Sequence, residues 1–194
     1  MDLPLREIIF NEDDQGFGVF AMSTVKNPAI KRNFVYFNEQ QKVRFSLQEE
    51  KKIVFAPALI PNQKVYRNID GEEFYLTVSK ETIQKIAVDF VKNNRMNNVN
   101  VEHQDNLING VTMFQALVTD EHTVPSVKGF EDLPIGTWFI GAKINNDEIL
   151  NGIKEGKFNG WSIHAMFQSR DVKLSNQLDD NTLRVMLNKI LYNI

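Results

Sequence analysis

Apolar residues recur along this chain in two periods, and the change from one to the other outlines the fold. Residues 5–10 (LREIIF) and 17–25 (FGVFAMSTV) alternate or run apolar around the acidic turn Asn11-Glu12-Asp13-Asp14-Gln15-Gly16, which predicts a hairpin. Asn27-Pro28 breaks the second strand. Alternation returns at 34–37 and 42–47. Residues 51–61 (KKIVFAPALIP) are mostly apolar, but Pro57 and Pro61 have no N–H to donate and restrict the run to a bulged or edge position. Asn68-Ile69-Asp70-Gly71 predicts a turn leading into a strand at 73–78. Further strands are expected at 99–103, 110–119 and 136–144, with a polar loop at 120–134.

The helical period appears three times. Residues 79–94 form the clearest case: Ser79 suits a cap, Glu81 lies in the first turn, and Ile83, Ile86, Ala87, Phe90 and Val91 share a face. Asn146 is placed to cap a second helix through Lys154, with Ile149, Leu150 and Ile153 inward and Gly156 at its end. After a polar stretch at 169–181, Leu183, Met186, Leu187, Ile190, Leu191 and Ile194 predict an amphipathic terminal helix at 182–194. Many short strands with few helices imply an α+β fold, mainly β: an antiparallel barrel or sandwich with helices outside. Two parts are expected, residues 1–168 as the barrel domain and 169–194 as a linker plus helix.

Composition narrows the chemistry. The 194 residues suffice for one domain with a complete core. A net charge of −3 argues against a nucleic-acid partner held through phosphates. The absence of cysteine removes a disulfide framework, a thiolate nucleophile and cysteine-ligated metals. The charged start MDLPLREIIF does not read as a signal peptide, and no stretch approaches the roughly 18 apolar residues of a membrane helix. A soluble protein with no membrane partner and no cofactor is expected.

Two stretches carry candidate chemistry. In residues 155–167 (EGKFNGWSIHAMF), Gly160, which has no side chain, precedes Trp161 and Ser162, and an open backbone beside a serine suits a nucleophile. The bland alternative is a serine in a strand-edge turn. In residues 99–105 (VNVEHQD) an alternating strand ends on His103, which alone reads more readily as a surface histidine. Serine with a distant histidine is the minimum equipment for nucleophilic acyl transfer, and only three histidines exist. His164 lies two residues beyond Ser162 and is readable as a packed residue, a substrate contact or a metal ligand. His122 reads as solvated. A metal set of His103, Glu102, Asp105 and His164 matches no helical ligand spacing.

Order then adds to these loose motifs. FAPALIPNQKVYR, FYLTVSKETIQKIAVDF, NVEHQ, GTWFIGAKINNDEIL and GKFNGWSIHAMF follow one another from Ile53 to Phe167. In that order they resemble the prohead (capsid maturation) serine proteases of tailed bacteriophages, the XkdF-like group, relatives of the herpesvirus assemblins. The resemblance implies a closed β-barrel ringed by helices, Ser162 as nucleophile and His103 as general base. It implies phage scaffold and major capsid proteins as substrates, inside the assembling prohead in the host cytoplasm. Its alternative is a non-catalytic structural or scaffold-core component that keeps the fold. A family-like segment expected after the serine strand stands instead at residues 21–29 (AMSTVKNPA), which looks like a circular permutation. The third catalytic member is therefore open among Ser23, Asp171, Glu102 or none. The terminal helix is expected to pack on the barrel or to mediate self-association.

Overall fold

The computed structural model of the chain describes residues 3–14, 16–29, 35–36 and 51–172. Its strands are β1 (Leu5–Ile9), β2 (Gly18–Val25), β3 (Val35–Tyr36), β4 (Ile53–Leu59), β5 (Val65–Ile69) and β6 (Glu72–Thr77). After helix α1 (Lys80–Lys92) come β7 (Val99–Val101), β8 (Val111–Val118) and β9 (Trp138–Ile144). Helix α2 (Asp147–Lys154) precedes β10 (Gly160–Met166) and β11 (Gln168–Asp171). The predicted strand at 42–47 and the helix at 182–194 lie outside the described residues.

These strands form three sheets, ordered β11-β1-β6-β5, β10-β2-β7 and β3-β4-β9-β8. Among the described residues the class is mainly β with two α-helices, and the sheets are not closed into the expected barrel. Closure needs a continuous ladder around the ring. β4 meets β9 on one edge and only the two-residue β3 on the other, and Pro57 has no N–H to extend a ladder. The β4–β9 register itself shifts between Pro57 and Leu59. β10 packs against β4 without hydrogen-bonding to it as a strand neighbour. The pairings are mainly antiparallel, but β1 pairs β6 and β2 pairs β7 in parallel.

The first two strands do not form the predicted hairpin. β1 lies between β11 and β6, whereas β2 is the centre of another sheet. Gly16 (φ 97°) and Gly18 (φ 128°) bend the connection where side chains are disfavoured. A Cβ on Gly18 would also stand 3.1 Å from Asp89 Oδ2. There the Asp89–Arg95 ion pair (2.8 Å) crosses the end of α1, and Arg95 Nη1 donates to Val19 O. The polar stretch from Ser169 begins as a strand, since β11 pairs β1 antiparallel.

The helices follow their sequence signals. Ser79 Oγ accepts the Thr82 N–H at 3.2 Å, and Asn146 Oδ1 accepts the Ile149 N–H at 3.1 Å. Ile83, Ile86, Ala87 and Phe90 are buried, as are Ile149, Leu150 and Ile153. Val91, at the margin of the apolar stripe of α1, is exposed. α1 lies against β2, β8 and β9, where Phe90 meets Trp138 edge-on at 5.4 Å. Burying large apolar side chains of this kind contributes about 1.5–3 kcal/mol each. The result is an apolar backing for one face of β2. Among the described residues, no helix is long and apolar enough to cross a membrane.

Candidate active site

The sheet β10-β2-β7 divides its residues by face. Ser162 pairs with Ser23, and Ser23 pairs with Asn100. Residues directly opposite in a sheet project to the same side. One polar row therefore crosses three strands, with His164 two residues along from Ser162 on the same side. The alternate positions Met22, Val99 and Trp161 are buried in the core. Trp161 Nε1 donates to Ile140 O at 3.2 Å and fastens the strand of Ser162 to the neighbouring sheet. Ser162 thus stands within a strand, not in the strand-edge turn that is the bland reading of Gly-Trp-Ser.

His103 reaches this row by a different route from the one its sequence suggests. The strand expected to end on it stops at Val101, and Glu102 (φ 47°) and His103 (φ 59°) are both left-handed. The Gln104 N–H donates to Val101 O at 3.0 Å, closing a two-residue turn of the I′ kind. Left-handed residues other than glycine cost energy and persist only where their surroundings hold them. Glu102 supplies that hold: its N–H donates to Thr24 O at 3.1 Å, and its carboxylate accepts the Lys26 N–H at 2.7 Å. The turn is pinned to β2, and the His103 ring lies back over the sheet with Nδ1 3.0 Å from Ser23 Oγ.

A buried relay continues from that contact. Ser23 Oγ donates to Asn100 Oδ1 at 2.5 Å, and Asn100 Nδ2 stands 3.1 Å from His164 Nδ1. Ser23 and Asn100 are 0% and 1% exposed, so each polar atom depends on these partners. A serine hydroxyl has one proton. With that proton given to Asn100, the Ser23–His103 contact is completed by Nδ1–H of His103, leaving its Nε2 with a free lone pair. Desolvation holds the His103 imidazole below its ordinary value; His164 and Arg67 act in the same direction and Glu102 opposes them. Both effects favour a neutral ring able to accept a proton.

The other sequence candidates are engaged elsewhere. Glu102 clamps the turn as described. Asp171 lies on β11, where its carboxylate accepts from Arg6 Nε at 3.2 Å. His122 is exposed in the loop organised by Asp120, whose carboxyl is held down at about 2 by hydrogen bonds from Thr123 and from the His122 and Thr123 amides. Among the described residues, no cluster of three or more His, Asp or Glu could hold a metal. Asn100 went unnoticed in the sequence, because a polar residue between two valines reads as the solvent face of a strand. Its spacing, three before the candidate histidine, was the available signal.

Ser162, His103 and His164 line a cleft of about 740 Å³, a volume typical of a ligand site. Its walls are chiefly apolar, from β4, β5, β6 and β10, and Arg67 of β5 also faces it. Gln63 and Thr77 also line it, and each buries a side-chain oxygen, Oε1 and Oγ1, that has no hydrogen-bond partner among the described residues.

Comparison with known families gives the arrangement a context. The family described as "Putative phage serine protease XkdF" matches residues 42–170, about two-thirds of the chain. That match spans His103 and Ser162 and leaves out β1 and β2, so Ser23 lies outside it. No curated protein and no solved structure matches the chain. The chain belongs to this family of phage serine proteases.

Proposed function

We propose that the protein is a serine endopeptidase that cleaves scaffold and capsid proteins during phage prohead maturation, with Ser162 as nucleophile and His103 as general base. Ser23 and Asn100 orient that base. The observation that carries this reading is the relay Asn100–Ser23–His103, because it leaves His103 Nε2 as an acceptor on the cleft that Ser162 lines. Nε2 takes the Ser162 proton as Oγ attacks the scissile carbonyl and returns it to the leaving amine. The developing imidazolium keeps its Nδ1–H on Ser23, a neutral oxygen in place of the carboxylate that many triads use.

Co-expression with the capsid and scaffold proteins of the same phage, followed by mass analysis of the fragments, tests this directly. Cleavage by the wild type but not by Ser162→Ala is expected, together with labelling of the wild type alone by a fluorophosphonate probe. Intact substrates and no labelling in a protein with native circular dichroism would favour the non-catalytic prohead component.

A further inference from the structure

The cleft holds a charge for which the protease reading has not accounted. On β5 the alternation of side chains sets Val65, Arg67 and Ile69 against the cleft. Arg67 is partly buried among apolar neighbours, and burial pulls its guanidinium below the ordinary arginine value, with no acidic group acting against that shift. Among the described residues its side chain makes one hydrogen bond, from Nη1 to Tyr66 O at 2.9 Å, which leaves most of its five donors unused. No carboxylate lies within ion-pair distance of it among the described residues, and none lines the cleft.

The contrast with Arg6 is informative. Arg6 stands over the same Phe74 that pairs with Arg67 across β5 and β6, yet it holds both Glu72 and Asp171. The carboxylates of this sheet are therefore already committed. A partly desolvated guanidinium without a counter-ion is costly unless an anion arrives, and its planar fork fits a carboxylate in a bidentate manner.

We propose that Arg67 anchors a substrate subsite for an acidic side chain, so that the cleft selects peptides carrying Asp or Glu close to the scissile bond, flanked by apolar residues. This rests on the protease reading for the word "scissile" but not for the binding itself. The apolar walls around Arg67 exclude water from the pair and sharpen the discrimination between a carboxylate and its amide isostere. Binding also reaches the chemistry: a carboxylate on Arg67 cancels a charge that depresses His103, so an occupied cleft holds a more basic imidazole.

The test uses the full chain as Ser162→Ala, which needs no catalysis. Fluorescein-labelled octapeptide pools with an Ala/Leu/Val background and amidated C-termini carry one central Glu, Gln or Lys, and binding is read by anisotropy. The Glu pool is expected to bind about tenfold more tightly than the Gln pool, the size of one charge-assisted contact. Arg67→Gln should erase that preference, and Arg67→Glu should transfer it to the Lys pool, both variants retaining native circular dichroism. In the Arg67-intact protein, the His103 titration followed by NMR should move upward when the Glu pool is bound. Equal binding of the Glu and Gln pools, or no binding by either, overturns the proposal. So does a preference that appears only when the peptides end in a free carboxylate, since the anion recognised is then a chain terminus. A retained Glu preference in a protein that never cleaves sinks the protease reading alone.

Discussion

At the scale of single residues, the site depends on where a few protons sit. His103 carries a depressed pKa, so its neutral form is present above the limb of the profile and lost as pH falls through it. We expect kcat/KM to rise with pH to a plateau, with a midpoint below the ordinary histidine value near 6.5. His164→Ala removes one of the depressing neighbours and should move that midpoint upward. A midpoint at or above 6.5 in the wild type would contradict the assignment. Ser23→Ala leaves His103 Nδ1 and Asn100 Oδ1 facing a void. Cleavage should fall roughly 100-fold, the lower end of a single acid–base contribution, and Ser23→Thr should restore much of it. Asn100→Asp separates orientation from packing, since the carboxylate accepts from Ser23 but cannot donate to His164, and its charge should raise the limb. Ser162→Ala and His103→Ala, measured alone and together, should not add if the two act as a unit.

The elements show which parts of this arrangement could be read from the chain. Both helices were legible because Ser79 and Asn146 announce them and the apolar stripes follow at the right spacing. The strand at β2 was legible as a strand, but alternation records a pleated segment and not its partner, so the hairpin with β1 was a wrong inference. The partners are set by Gly16 and Gly18, whose effect on direction has no periodicity to detect. β5 was hidden because Val65–Ile69 mixes apolar, aromatic and charged residues with little alternation, and its role as a cleft wall depends on β6 beside it. Ser162 and His103 stood out by residue type, whereas Asn100 and Arg67 acquire meaning only from burial and neighbours. Gly18→Ala tests the corner: a φ of 128° and a 3.1 Å approach to Asp89 should make it destabilising by about 1–3 kcal/mol, read as a fall in the urea midpoint. Ser79→Ala should cost about 1 kcal/mol without changing the pH profile.

For the whole molecule, the first strands and the last ones close on each other. β1 joins β11, and β2 joins β10, so two of the three sheets are completed by both ends of the described chain. Truncation after Phe167 removes β11 and uncovers an edge of β1, so it should lower the melting temperature, while truncation after Val172 keeps that ladder. If removing residues 173–194 also converts a dimer to a monomer by light scattering, self-association through that segment is supported; a full-length monomer would end that idea. The pairing of Ser23 with Ser162 has a kinetic meaning as well. These residues meet across most of the sequence, a contact of high separation whose loop must close before it can form. Ser162 emerges from the ribosome long after Ser23, and no shorter nascent segment contains both. The site therefore comes into being only with the finished sheet, and a growing chain cannot assemble it until synthesis has passed β10.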